Sequence, residues 1–251
     1  MTSRGDLVEP VQLLWTSGWD STFRLCELVL VEGRAVQPLY MYVPDRAGRE
    51  IELEVQGRLW QQLRERAPDP GLLRYPIIHQ QRWAAGHPVP SAELRECFAR
   101  VQARHPHLTG QFLRLAHLGD LLDWWAVELS LARGEGHPGF NEAAFVDHHA
   151  RPEALELADT DEGWLLRRFA FPTLHRSRAN MRDVAAIHGF DDLLRQSWYC
   201  QAPVGRRVCG RCRPCVIHRE QTGEDVPTPP ILAWGRARAA DLIARAAARA
   251  S

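Results

Sequence analysis

Cys200, Cys209, Cys212 and Cys215 follow a C-x8-C-x2-C-x2-C pattern. Thiolate sulfur is a soft donor that binds zinc tetrahedrally at roughly 2.3 Å. Two C-x2-C steps sharing Cys212 can wrap three ligands around one ion, and Cys200 reaches in from the preceding loop. Gly210 permits the tight backbone between the first two of that trio. Arg206, Arg207, Arg211 and Arg213 lie alongside and offset the negative charge of four thiolates. Four sulfur ligands leave no open coordination position, so the expected zinc is structural. Metal binding of this kind supplies on the order of 10 kcal/mol of folding energy. An iron–sulfur cluster or a redox role would use the same residues, and so would a nucleic-acid-binding zinc ribbon.

The second chemically suggestive stretch is Thr16-Ser17-Gly18-Trp19-Asp20-Ser21. It directly follows the short apolar run Val11 to Trp15 and directly precedes a helical pattern. Small residues between a strand and a helix let backbone N–H groups face an anion, and the helix N-terminus adds partial positive charge. Thr16, Ser17 and Gly18 leave that cradle open, and Ser21 offers a hydroxyl. Asp20 suits a helix N-cap, or a Mg²⁺ ion bridging phosphates. The bland alternative is an ordinary capped strand-to-helix turn. The stretch is not a Walker A loop, because the G-x-x-x-x-G-K spacing is absent.

The elements that must position these residues read as follows. Strands are expected at Val11–Trp15, Val36–Val43 and Leu73–Ile78, and helices at Ser21–Glu32 and Arg49–Arg66, with Gly33 as a stop. Alternating strands and helices are the grammar of a parallel sheet with crossover helices, a Rossmann-like α/β fold. Gln111 to Arg133 reads as one long buried helix, with Trp124 and Trp125 packing in the core, broken by Gly134–Pro138. Leu155–Trp164 is ambiguous; Ser177–Ile187 is helical with Gly189 as a cap; the cysteine segment is a loop. Val226-Pro227-Thr228-Pro229-Pro230 forms a stiff spacer, and Ala233–Ala250 a solvated or docking helix. Cys26 and Cys97 lie in helical patterns as small core residues.

Composition narrows the function. Lys plus Arg equals Asp plus Glu at 31 each, so no global charge points to nucleic acid or a membrane surface. No apolar run spans a bilayer, and Met1–Pro10 lacks a signal peptide's apolar core. A cytoplasmic protein is expected, in which clustered cysteines favour metal over disulfides. Asp147, His148 and His149, and likewise Arg46 and Arg49, are candidates to touch a substrate, with surface roles the blander reading. Arg24 is one of several possible phosphate partners.

Together, the loop and the cysteines resemble the 7-cyano-7-deazaguanine synthase (QueC) family of PP-loop ATP pyrophosphatases. The family's loop is S-G-G-x-D-S; Gly18, Asp20 and Ser21 match it, with Thr16 in place of serine and Ser17 in place of the first glycine. Phe171-Pro172 through Arg178-Ala179-Asn180 resembles the segment before the zinc loop, with Arg178 in place of the usual lysine. Gly189-Phe190 through Ser197-Trp198-Tyr199-Cys200 resembles the run into the first cysteine, and Val146-Asp147 through Arg151-Pro152-Glu153 the P-D-C-R-x-E stretch. The D-Y-G-Q-x-H motif expected near Tyr42–Arg49 is missing, and Thr109-Gly110-Gln111 stands in place of G-R-N. A divergent member is therefore expected.

The resemblance implies a HUP-type PP-loop ATPase core over residues 1–195, a zinc-binding loop over 196–225, and a spacer and helix over 226–251. It implies ATP and Mg²⁺ held by Thr16, Ser17, Gly18, Trp19, Asp20 and Ser21, with Asp20, Ser21 and Arg178 catalytic. It implies a C–N ligase of queuosine biosynthesis. A 7-carboxy-7-deazaguanine-type carboxylate is adenylated and passed to ammonia as amide or nitrile, releasing AMP and pyrophosphate. A homodimer is expected from the same source. Two other functions stand beside it: a diverted ligase joining such an acid to another amine or a protein, for instance in a defence or modification system, and a non-catalytic binder of ATP or nucleic acid.

Overall fold

The computed structural model describes residues 9–44, 46–80, 87–133 and 139–226. Five parallel strands form one sheet in the order β3-β2-β1-β4-β5. They are β1 (Val11–Leu14), β2 (Val36–Tyr42), β3 (Ile77–Gln80), β4 (Val127–Leu129) and β5 (Phe169–Ala170). β1 is central because successive strand residues point to opposite faces and both faces are buried. Leu13 and Trp15 pack into one core with helices α1 (Trp19–Cys26), α2 (Arg49–Arg66), α7 (Arg178–Ile187) and α8 (Asp191–Arg195). Leu14 faces the other core, shared with α3 (Ala92–Arg104), α4 (Gln111–Leu121), α5 (Phe140–Ala144) and α6 (Asp161–Leu166). The result is a sheet covered on both faces by helices, the α/β arrangement expected. The last helix among the described residues, α9 (Arg213–Thr222), begins just after Cys212 and includes Cys215.

The expected first two strands and helices are present, and Gly33 takes φ +60° just past a π-helical turn over Glu27–Val31. The third strand starts later than expected, at Ile77; Leu73 makes only an isolated bridge to Val36. Ser177 caps α7, its hydroxyl accepting from Asn180 N–H at 3.2 Å, and Gly189 follows at φ +72°. Cys26 and Cys97 are buried in α1 and α3, where burial pushes the thiols up to about 12 and about 11. The ambiguous Leu155–Trp164 ends in α6. The proposed break at Gly134–Pro138, the spacer from Pro227 and the Ala233–Ala250 helix lie outside the described residues.

The expected long helix Gln111–Arg133 is not one element. α4 stops at Leu121, and Val127–Leu129 is the strand between β1 and β5. A Schellman motif makes the stop: Asp123 takes φ +48°, Trp124 N–H bonds Gly119 C=O at 2.8 Å, and Asp123 N–H bonds Asp120 C=O at 3.4 Å. Aspartate tolerates the left-handed region better than most residues. Arg168 then donates to Asp120, Asp123 and the Trp124 carbonyl. Trp124 is core, as expected, but Trp125 is 81% exposed.

Candidate functional site

The chain leaves β1 toward β2 on one side, and β4 lies on the other, so the strand order reverses at β1. Clefts at such switch points, beyond the carboxyl ends of the strands, are the natural ligand sites of open parallel sheets. Here that place holds a cavity of about 510 Å³. Thr16, Gly18, Trp19, Asp20 and Ser21 form one wall and Arg178 joins them. Arg46, Ser130, Asn141, Tyr199 and Arg213 also face it.

The loop after β1 is folded by its own short side chains. Ser21 Oγ accepts from Thr16 N–H at 3.4 Å and donates to Gly18 C=O at 3.3 Å. A Cβ at Gly18 would lie 3.2 Å from Thr16 Oγ1, so glycine keeps this turn open. Gly18, not Asp20, is the N-cap of α1, which corrects one of the two expectations for Asp20. Asp20 sits in the first turn and accepts from Arg178 Nε at 3.3 Å. Ser17 is fully buried and does not line the cavity. It adopts φ +57°, a conformation glycine takes freely and serine at a cost. Its hydroxyl donates to Thr16 C=O at 2.5 Å, and its carbonyl accepts from Trp198 N–H at 2.7 Å.

That last bond carries the other end of the chain to the cavity. The four cysteine sulfurs lie within 4.8 Å of one another. Cys212–Cys215, Cys209–Cys215 and Cys200–Cys212 are separated by 3.4, 3.9 and 4.0 Å. Four bonds of roughly 2.3 Å in a tetrahedron require roughly 3.8 Å between sulfurs, so the group could hold a metal ion. Backbone N–H groups point at two of the sulfurs, from Cys209 to Cys200 and from Arg211 and Cys212 to Cys209. Gly210 is left-handed at φ +68°, as the tight turn demands. The segment is not wholly a loop, because Cys215 lies in the first turn of α9.

Three aromatic rings join this module to α1. His218 stacks on Tyr199 with centroids 3.9 Å apart and meets Trp19 edge-on at 5.2 Å. Burial pushes the His218 pKa below the usual imidazole value, and its Nε2 pairs with Glu224 at 3.0 Å. Trp19 is thus largely a packing residue, 1% exposed, that touches the cavity at its edge.

Several weighed residues fall elsewhere. Arg24 is buried and bidentate to Glu128 at 2.8 and 3.0 Å, far from a phosphate role. Asp147, His148 and His149 are not in the cavity wall; Asp147 accepts from His149 N–H at 2.8 Å. Arg49 bonds Tyr42 Oη and the Pro44 carbonyl. Arg46 does reach the cavity, held at 2.8 Å by Glu52, which in turn accepts from Tyr40 Oη at 2.8 Å. Burial raises the Glu52 pKa, opposed by Arg46 and then by Tyr40. Ser130 and Asn141 carried no sequence signal, since neither belongs to a motif whose spacing points to chemistry.

No family model matches the chain, and no curated protein matches it. Among the described residues, no helix is long and apolar enough to cross a membrane.

Proposed function

We propose that the chain is an ATP-dependent, AMP-forming ligase of the PP-loop type, a divergent relative of 7-cyano-7-deazaguanine synthases, whose cysteines hold a structural zinc. The observation that carries this reading is the cavity at the β1–β4 switch point. It gathers Thr16, Gly18, Asp20 and Ser21 with Arg178, two segments that resemble the same family and are far apart in the chain.

The cavity chemistry supports the reading. The N-terminus of α1 and the open turn at Gly18 offer partial positive charge to a triphosphate. Arg178, with Arg46 and Arg213 on the same walls, supplies full positive charge. Asp20 orients Arg178 and is a carboxylate suited to Mg²⁺, which when bound neutralises charge on the phosphates. A carboxylate is a poor electrophile until it is esterified to AMP. Its oxygen attacks the α-phosphorus and the bond to pyrophosphate breaks, with Arg178 stabilising the departing charge. An amine nitrogen then attacks the acyl carbon, and AMP leaves with the carbon–oxygen bonding pair. With ammonia the product is an amide, and a second adenylation can dehydrate it to the nitrile.

The same adenylation with a different amine is the second reading. It is favoured by the stretch after β2, where Arg46 enters the cavity in place of the family's D-Y-G-Q-x-H motif.

The test is zinc-loaded protein with Mg-ATP and 7-carboxy-7-deazaguanine, with and without ammonium, followed by mass spectrometry. AMP together with amide or nitrile is expected. Base attached to a protein or another amine moves the assignment to the diverted ligase. ATP bound without any AMP overturns catalysis on this acid. Arg178→Met should lower AMP formation by roughly 10²- to 10³-fold, and Arg178→Lys should keep much of it.

A further inference from the structure

Of the four clustered cysteines, Cys200, Cys209 and Cys215 are buried, while Cys212 is only partly so. Cys212 is the N-cap of α9 and Cys215 lies in its first turn, with Arg213 and Pro214 between them. Their sulfurs are 3.4 Å apart, closer than the Cys209–Cys215 and Cys200–Cys212 pairs at 3.9 and 4.0 Å. A C-x2-C pair across the first turn of a helix, one sulfur reachable and the other shielded, closes to a disulfide with little backbone movement. The remaining cysteines, Cys26 and Cys97, are buried in the two separate cores. An oxidant arriving from solvent therefore meets Cys212 first.

The same cysteines are spliced into the cavity wall. Tyr199 and Gln201 flank Cys200, Arg213 and Pro214 separate Cys212 from Cys215, and Ile217 follows shortly after; all five line the cavity. Trp198, just upstream, donates its N–H to the Ser17 carbonyl at 2.7 Å, in the loop after β1. A change of bonding at the sulfurs is thus delivered directly to the wall. Joining Cys212 to Cys215 would leave only Cys200 and Cys209 for a metal ion, too few for a closed tetrahedral site.

We propose that Cys212 and Cys215 are an oxidant-sensitive dithiol, a modification site at which a peroxide loosens the cysteine module and with it the cavity wall. The Cys212 sulfur attacks one peroxide oxygen, the O–O bond breaks, and a sulfenic acid and water form. The Cys215 sulfur then attacks the sulfenic sulfur, the S–O bond breaks, and the hydroxide leaves as a second water. In all, the two thiols lose two electrons and two protons, and the peroxide takes up both. The effect on nucleotide rests on the ligase reading, and the release of an ion on the zinc reading; the dithiol rests on neither.

The experiment treats the full zinc-loaded chain with an equimolar amount of hydrogen peroxide. Differential alkylation with peptide mass spectrometry maps the bond, and a chromogenic chelator reads released zinc. Hydrogen exchange over Thr16–Ser21 and Trp198–Thr222 reads the wall, and calorimetry reads Mg-ATP. A Cys212–Cys215 disulfide should form first, with zinc released in step and exchange faster in both stretches. Mg-ATP should bind roughly tenfold or more weakly, the loss expected for one charged contact. Dithiothreitol with zinc should reverse every change. Cys212→Ser removes a metal ligand along with the attacking sulfur, so the control is the Cys26→Ala, Cys97→Ala double variant, which should respond as the parent does. Thiols that stay reduced, first oxidation at Cys26, Cys97 or another pair, or a mapped disulfide with unchanged exchange over Thr16–Ser21 overturns the proposal. Mg-ATP that fails to bind the reduced chain overturns the ligase reading instead, and exchange over Thr16–Ser21 still decides the switch.

Discussion

Arg24 on α1 and Glu128 on β4 form a buried, two-bond ion pair near the site, and their partners make its response to mutation asymmetric. Arg24 reaches Glu128 through two bonds, Glu27 at 2.7 Å and Glu32 at 2.5 Å. Glu27 also has Arg176 at 2.9 Å. Arg24→Met therefore strands Glu128, which is 8% exposed, while Glu27 keeps a cation. An uncompensated buried charge of this kind costs about 3–5 kcal/mol. Glu128→Leu leaves Arg24 with two carboxylates, so only bonds to one partner are lost, about 1–3 kcal/mol. The double variant removes both ends of the pair and should cost less than the sum of the singles by about 1–3 kcal/mol. Equilibrium urea unfolding of the metal-loaded protein reads this directly, with Arg24→Met lowering the midpoint by about 1–2 M. A loss from Glu128→Leu equal to or greater than that from Arg24→Met would refute the partner accounting, and strict additivity would refute the coupling. The pair matters to the site because it ties the helix that starts at the loop to the strand across the switch point.

Three further outcomes follow from the same geometry. Chelating the proposed zinc should raise hydrogen exchange across Trp198–Thr222 and weaken the proposed Mg-ATP binding; unchanged binding would show that the cysteine module does not shape the cavity. Stability should fall as pH drops below about 6.5 through the depressed pKa of His175. Burial and then Arg176 disfavour its charged form, Arg176 Nε donates to its Nε2 at 3.3 Å, and a group with a lowered folded pKa loses its contribution as pH falls through that value. His175→Gln should flatten that slope in pH-dependent thermal melts. Ser17→Gly should change stability by no more than about 1 kcal/mol, because relief of the left-handed conformation is offset by glycine's entropy and a lost hydroxyl bond. Ser17→Val, stiff and β-branched at positive φ, should cost about 2 kcal/mol or more in the same unfolding assay.

The first half of the fold was legible because short apolar runs alternate with amphipathic ones there, and each element is long enough for its period to register. The cysteine pattern was legible because metal geometry dictates spacing locally. The stretch from Gln111 to Arg133 was not, because its many apolar residues read as one period and the join, Leu121 to Ala126, holds no glycine or proline. What ends the helix is Asp123 in a left-handed turn, backed by Arg168 from 45 residues away, and what makes the strand is pairing with β1 and β5. Both are tertiary effects that override helical propensity. Asp20 shows a related limit. A short acid near a helix start suits several roles, and only the fold placed it opposite Arg178.

The cysteine module explains how a strained loop is held. Among the described residues its own buried apolar set is small: three of the cysteines and Val226, with a few partly buried neighbours. So small an apolar set offsets little of the conformational entropy of a segment of this length. Ligation of a metal ion by the four sulfurs would supply what the core lacks. Once ordered, the module offers Trp198 N–H to the carbonyl of Ser17, the residue held at positive φ, and sets Tyr199 and Arg213 in the cavity wall. A serine at φ +57° persists only where its surroundings over-determine it. Here those surroundings include the segment that carries the four cysteines, through the bond from Trp198 N–H. With a metal held there, its loading and the shape of the loop after β1 would be two readings of one folding equilibrium.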